Sequence, residues 1–293
     1  MKNNGKFAEN ACISAMKNLK KYLAPGLLLL ALAAYLYWSG DKETDDPDPV
    51  ETPVPAAAPV ALSDLMEIPA LTTGGRIVQH GAYVSSYNTE TLIPDWVAYE
   101  LTAEETGGTE TREGMEFRMD PSLKGVRQAM REDYSGSGWT KGHLMPAADA
   151  AFSNSTMSET FYFTNICPQD ETLNAGDWQY LEKRVRQWAN RYGSVWVVTG
   201  PIVGENRYGR IGDRDVVVPD AFYKALLIRK KNGSYSAIAF VMDNDDDRYY
   251  LKDCCMTVND LEALTGFDFY PALDDLIEEK VESTLRLSDW GIK

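Results

Sequence analysis

Trp178, Leu181, Val185, Trp188 and Tyr192 recur at 3-4-3-4 spacing, the period of one face of an α-helix. This stripe constrains the fold more than any other stretch of the chain. Gly193 ends the pattern and Asn174 stands where an N-cap residue would, so the spacing predicts a helix over about 175–192. Directly after it, Val195–Thr199 is almost wholly apolar, which suits a strand buried in the middle of a sheet.

Further strands are expected at Ile77–Tyr87, Trp96–Thr102 and Phe161–Ile166, with a polar loop at Thr106–Gly114. Ala221–Ile228 and Tyr235–Met242 read as a hairpin around Lys231-Asn232-Gly233, because Asn-Gly favours a tight turn. A second helix is expected to begin at Thr257, where Thr257-Val-Asn-Asp260 approximates a capping box with Asp in place of Glu or Gln. A third lies within 274–285. Mostly antiparallel sheet with packed helices is an α+β fold. Hydrophobic residues at 44%, with seven Trp and sixteen Tyr, are enough to fill its core.

The N-terminal part reads differently. Residues 1–21 carry Lys2, Lys6, Lys17, Lys20 and Lys21 and are expected on the cytoplasmic side. Residues 22–40 hold an apolar run, Leu23–Trp38, broken by Pro25-Gly26 and short for a membrane span of about 17–25 residues. They are read as a signal anchor, or as a signal peptide cleaved near Ala31-Leu32-Ala33. Residues 41–61, rich in Pro, Ala and acidic side chains, read as an extended tether. The folded domain is expected over 62–293, exported and facing the periplasm or exterior, membrane-anchored through the N-terminal segment or secreted if that segment is cleaved. There Cys167, Cys254 and Cys255 would meet an oxidising compartment. Either one of the adjacent pair bridges Cys167, or all three are buried small hydrophobes.

Chemistry-bearing residues are sparse. Of two histidines, His80 lies in an expected strand and reads as structural, whereas His143 follows Gly136, Gly138 and Gly142 in an expected loop. Asn174 either caps its helix or offers a carbonyl oxygen to a metal. Glu182, roughly 80° around and two turns along an ideal helix from Asn174, is either a solvated carboxylate or the holder of a metal-bound water. Arg186 either pairs with Glu182 at i,i+4 or grips phosphate oxygens. Histidine takes a proton from water near neutral pH. Mg²⁺ prefers oxygen ligands and keeps several waters, so one or two protein ligands suffice. A lone histidine beside a sparse oxygen-ligand site is what metal-assisted phosphodiester cleavage needs. The formal net charge of −15 argues mildly against nucleic-acid binding, although part of it sits in the tether and a local basic patch is compatible with it.

The combination resembles the DNA/RNA non-specific endonuclease family, the ββα-metal nucleases that include mitochondrial endonuclease G. That family's histidine motif, Asp-Arg-Gly-His-Leu, is similar to Thr140-Lys141-Gly142-His143-Leu144, followed by Met145-Pro-Ala-Ala-Asp149. Its second motif, Asn-x-x-x-Trp-x-x-Leu-Glu, stands as Asn174, Trp178, Leu181 and Glu182. Phe161–Gln169, Trp96-Val-Ala-Tyr99 and Val198-Thr-Gly-Pro201 also resemble the family, and the likeness runs over about residues 75–285. The resemblance implies a ββα-metal active site in which His143 is the general base and Asn174 the protein ligand of one Mg²⁺, with Mn²⁺ as a substitute. It implies that Glu182 holds a metal-bound water and that Arg186 stabilises the phosphate or leaving group; Asn165 matches the family's Thr-Asn segment but is read as structural. DNA and RNA are the implied substrates, cut to 5′-phosphate ends.

Two positions depart. Thr140 replaces the motif's Asp, removing an acidic anchor of the loop. Lys141 replaces its Arg, turning a planar two-donor fork into a point charge. The expected activity is therefore a Mg²⁺-dependent, sugar-nonspecific endonuclease. The alternatives are a nuclease-like nucleic-acid-binding or surface-interaction protein that has lost catalysis, and an enzyme of the same fold narrowed to small nucleotides.

Overall fold

A computed structural model describes residues 61–70 and 74–293 of the chain. The expected N-terminal segment and most of the expected tether lie outside the described residues. The elements form in chain order from the patterns above. Strands β1 (Arg76–Gln79), β2 (Val84–Asn88) and β3 (Ile93–Thr102) lead to helix α1 (Arg131–Tyr134) and strand β4 (Thr140–His143). Helix α2 (Asn154–Glu159) and strand β5 (Ile166–Gln169) precede helices α3 (Glu171–Ala175) and α4 (Asp177–Tyr192). Strands β6 (Ser194–Ile202), β7 (Arg210–Ile211), β8 (Val216–Val217), β9 (Ala221–Arg229), β10 (Tyr235–Asp243) and β11 (Cys255–Met256) follow. Helices α5 (Val258–Thr265), α6 (Asp275–Glu282) and α7 (Leu287–Trp290) close the chain.

The main sheet has seven strands in the order β1-β2-β3-β6-β9-β10-β11, every pair antiparallel. β6 is its central strand. Side chains alternate between two cores. Val97, Tyr99, Val197, Phe222 and Leu226 meet Trp178, Leu181, Val185 and Trp188 of α4 on one face. Trp96, Ala98, Val198, Ala225 and Leu227 meet Val258 and Leu261 of α5 and Val281 of α6 on the other. With both faces covered, the central strand carries apolar residues at consecutive positions instead of alternating with polar ones.

Several expected elements differ in detail. The strand expected at Ile77–Tyr87 is two strands, joined by a turn in which the His80 N–H donates to Tyr83 O at 2.8 Å. The strand expected at Phe161–Ile166 is a 3₁₀ turn, Phe163–Asn165, and pairing begins only at Ile166. His143 lies at the end of strand β4, not in a loop, because β4 finds a partner in β5: Thr140 pairs with Gln169, Gly142 with Cys167 and His143 with Ile166. The helix expected over 175–192 is broken at Gly176, whose backbone (φ −109°, ψ −108°) is not helical. A Cβ there would lie 2.4 Å from Thr172 O, so only glycine fits the junction. Asp170 caps α3 by accepting from the Thr172 and Leu173 N–H groups. Asn174, inside α3, is therefore not an N-cap. Thr257 does cap α5, accepting from the Asp260 N–H at 3.1 Å.

Cys167, Cys254 and Cys255 are all free. Cys167 and Cys254 are buried and Cys255 is half-buried, so of the two expectations for them the bridge is not made.

Candidate active site

The two-stranded ribbon β4–β5 and helices α3 and α4 form a ββα unit packed on one face of the sheet. Gly142 faces the side chain of Gln169 across the ribbon. A Cβ at Gly142 would fall 2.1 Å from Gln169 Oε1, so the close approach of the two strands depends on glycine. Lys141 and His143 project from the other side of β4, two residues apart. His143 meets Phe161 edge-on with ring centroids 4.9 Å apart and lies 5.4 Å from Phe117. Its Nε2 is buried and has no hydrogen-bond partner. Burial, and then the charge of Arg112, push its pKa down to about 3. The imidazole is therefore neutral across the physiological range. His80 contrasts with it, since its Nε2 lies 2.8 Å from buried Asp120 Oδ2, the satisfied structural pairing expected for it.

Lys141 Nζ stands 5.7 Å from the centroid of Phe117 and 5.3 Å from that of Tyr134. Burial, then the charge of Arg131, lower its pKa. Phe117 thus packs beside both the lysine and the histidine.

Thr140, which stands where the family motif has Asp, has a defined task. Its Oγ1 donates to Gln169 O at 2.7 Å and accepts from Asn174 Nδ2 at 2.9 Å. A hydroxyl that donates to a backbone carbonyl can only accept from the amide nitrogen of Asn174. The Asn174 amide is thereby assigned with Oδ1 turned away from Thr140, and Oδ1 takes part in no described hydrogen bond. This is the donor that a hard divalent cation would use, and the residues fit such an ion: one free carboxamide oxygen on a short capped helix, with Glu182 on the next helix. Among the described residues no group of three or more His, Cys, Asp or Glu side chains is disposed as a metal cage. Most of the coordination sphere would therefore be water and substrate oxygen, the habit of Mg²⁺ rather than of Zn²⁺.

Behind these groups lies a set of buried charges. Glu182 is half-buried, and burial raises its pKa to about 8 although Lys224 and Arg186 pull it down. Arg186 does not pair with Glu182. Its Nη1 makes a short ion pair with Asp149 Oδ1, and Asp149 also accepts from Tyr99 OH at 3.0 Å. The remaining N–H groups of the Arg186 guanidinium make no described hydrogen bond. Asn165 ties down the loop after His143: its Oδ1 accepts from the Met145 N–H, and its Nδ2 donates to Met145 O and Thr160 O.

The structure thus brings Lys141 and His143 onto one side of β4, joins Asn174 to β4 through Thr140, and sets Glu182 and Arg186 beside Asp149. Among the described residues no hydrogen bond links His143 directly to Asn174 or Glu182. Three contributors escape sequence reasoning. Arg112 lies in a stretch that reads only as a polar loop, yet it sits 5.5 Å over Phe161 and acts on His143. Asp149 ends the histidine segment without any pattern that marks it as a partner of Arg186. Lys224 had a visible signal, a lone charge inside the apolar run Ala221–Ile228.

A sequence profile of the DNA/RNA non-specific endonuclease family matches residues 63–276. The chain is 37% identical to the mitochondrial nuclease EXOG of Xenopus laevis over 237 residues, 75% of this chain and 66% of that protein. It is 33% identical to the mitochondrial endonuclease G of Homo sapiens over 201 residues, 65% of this chain and 68% of that one. A solved structure, the EndoG/EndoGI complex described for the mechanism of EndoG inhibition, superposes with a TM-score of 0.67 at 27% identity, covering 75% of this chain and 95% of that one. The fold and the ββα unit are those of a non-specific nuclease. This chain belongs to the DNA/RNA non-specific endonuclease family. Its match spans just under two thirds of the length of the EXOG relative.

These relatives overturn the expected location. The EXOG and endonuclease G proteins are named as mitochondrial; the expected anchor itself lies outside the described residues, among which no helix is long and apolar enough to cross a membrane. An exported domain facing the periplasm or exterior, anchored or secreted, is not supported. The expectation rested on flanking charge and on an apolar run that Pro25-Gly26 cuts to Leu27–Trp38, below the length of a span.

Proposed function

We propose that this chain hydrolyses phosphodiester bonds of DNA and RNA as a Mg²⁺-dependent endonuclease with His143 as its general base. The observation that carries the reading is the placement of His143: a neutral imidazole on the side of β4 that also bears Lys141, with β4 joined through Thr140 to Asn174. The neutral imidazole is the form that can accept a proton from water. Asn174 Oδ1 would hold the cation, and Glu182 would orient a water next to it. When bound, Mg²⁺ supplies positive charge at the scissile phosphate and the departing oxygen.

His143 takes a proton from the attacking water as the new P–O bond forms. The bond to the 3′ oxygen breaks, leaving a 5′-phosphate, and the 3′ oxygen is protonated from solvent. Lys141, Arg112 and the free N–H groups of Arg186 bear on the non-bridging oxygens, where charge builds up. Asp149 holds the Arg186 fork in place, so the guanidinium need not reorganise when phosphate arrives.

Supercoiled plasmid and a structured RNA, each incubated with the purified chain in Mg²⁺ and in EDTA, test the reading. Cleavage of both in Mg²⁺ alone is expected, and His143→Ala should lower the rate at least about 10²-fold while His80→Ala keeps most of it. Binding without cleavage would instead support an inactive nucleic-acid-binding relative.

A further inference from the structure

Lys224 lies on β9, fully buried, where it pairs with Thr199 of β6 and Phe240 of β10. Its ammonium group is 3.5 Å from Leu144 O and 4.9 Å from the ring centroid of Trp178. Among the described residues no carboxylate lies within ion-pair distance of it. A buried ammonium with one long hydrogen bond and one aromatic face is costly, and an apolar side chain of the same length would pack more cheaply. Packing alone does not account for it.

What surrounds Lys224 does. Leu144 directly follows His143, and Trp178 lies on α4 one turn before Glu182. The charged groups facing the ammonium come from two elements: Glu182 and Arg186 from α4, and Asp149 from the 3₁₀ turn Ala147–Ala150. Tyr99 of β3 adds a hydroxyl bonded to Asp149. Two acidic groups, Asp149 and Glu182, and two basic ones, Arg186 and Lys224, share this enclosed space. Asp149 is already satisfied by Arg186 and Tyr99. Glu182 makes no described hydrogen bond or ion pair, and Lys224 is the strongest of the cations acting on it, ahead of Arg186 and Lys183.

We propose that Lys224 is a positioning residue of the active site, whose buried ammonium ties the backbone after His143 to the helix bearing Glu182 and keeps Glu182 competent to hold a cation-bound water. The proposal rests on the nuclease reading above. It predicts that outer groups of this kind, which touch neither substrate nor metal, alter turnover and cation affinity by about 10- to 100-fold.

The test compares the wild type, Lys224→Met and His143→Ala in the full chain. Each is measured for kcat, KM for DNA, the Mg²⁺ concentration giving half-maximal rate, melting temperature, and the rise in melting temperature on adding Mg²⁺. Lys224→Met should lower kcat about 10-fold or more with little change in KM, raise the half-maximal Mg²⁺ concentration, and shrink the Mg²⁺-induced rise in melting temperature. Its melting temperature without Mg²⁺ should equal or exceed that of the wild type, because a costly buried charge is gone. A variant that cleaves and responds to Mg²⁺ like the wild type would overturn the proposal. So would one whose loss of rate merely follows a lower melting temperature with an unchanged Mg²⁺ response. If the wild type cleaves nothing, the nuclease reading fails and the Mg²⁺-induced melting shift decides Lys224 by itself. If His143→Ala is inactive and Lys224→Met is normal, the nuclease reading stands and this one falls.

Discussion

An imidazole packed between Phe117 and Phe161 and facing a guanidinium loses solvation and gains repulsion if it ionises, which is why His143 stays neutral. The site's other residues are tuned by single contacts of the same kind. Thr140 pins the amide of Asn174 through one hydroxyl. Thr140→Val keeps the shape and removes the hydroxyl, freeing the amide to rotate and leaving Gln169 O without this donor. The expected result is a loss of cleavage on the order of 10-fold, recovered in part at higher Mg²⁺. A Mg²⁺ titration that overlays the wild type would remove Thr140 from the site. Lys141 presents one ammonium where the family has a guanidinium fork. If it faces phosphate, Lys141→Arg should preserve or raise turnover, since two parallel donors fit two oxygens, and Lys141→Ala should cut it well below wild type. Rates on one DNA substrate at fixed salt compare the three, and a wild-type-like Ala variant would assign Lys141 to packing against Phe117 and Tyr134.

At the scale of elements, α4 is held by its stripe: Trp178, Leu181, Val185 and Trp188 are all buried against the sheet, and Tyr192 is half-buried at its end. Its flank residues Glu182 and Arg186 are thereby carried on a fixed frame. On the opposite face, α6 packs on the sheet less comfortably. Glu278 and Glu282, one turn apart, are nearly buried, and each has an unpartnered Oε1. Burial, reinforced by neighbouring carboxylates, raises Glu278 to about 8 and Glu282 to about 10. The unfolded chain gives up these protons near pH 4.5, before the folded one does. The stability tied to the protonated pair is therefore complete below that pH and is lost as pH rises through the folded values. Glu278→Gln, which stays neutral, should raise the melting temperature more at pH 8.5 than at pH 5. Scanning calorimetry of both proteins at the two pH values checks this, and an equal gain at both would mean the carboxyl is solvated.

For the whole molecule, the formal charge of −15 sets the conditions under which a polyanion is bound. The cations of the candidate site are few: Arg112, Lys141 and Arg186. Each phosphate contact contributes about −0.9 to the slope of log affinity against log salt on duplex DNA. Three contacts give a slope of about −3 or shallower. A much steeper slope in a binding titration with the His143→Ala variant would reveal a second basic surface. The acidic envelope also slows encounter with DNA, so kcat/KM should rise less steeply than affinity as salt is lowered.

The amino-acid sequence by itself determined the elements whose signal is local. The apolar stripe of α4, the continuous run of β6, the Asn-Gly turn of the β9–β10 hairpin and the Thr257 cap all follow from patterns within a few residues, and each is present in the fold. The pairing of Asn174 with the histidine motif and its two departures was legible as a resemblance, because motif residues keep their spacing along a helix. The tertiary structure alone decided what depended on distant contacts. Asn174 is no cap because Asp170 caps α3 one turn earlier, and its amide nitrogen instead reaches Thr140, 34 residues away. Arg186 turns from Glu182 to Asp149, 37 residues away. The helix breaks at Gly176 under a constraint that periodicity does not carry. Lys224 is buried only because a sheet closes over it and α4 closes over the sheet. Hydrophobic periodicity reports which face of an element is covered, whereas the charge state and partner of a polar side chain depend on which other elements do the covering.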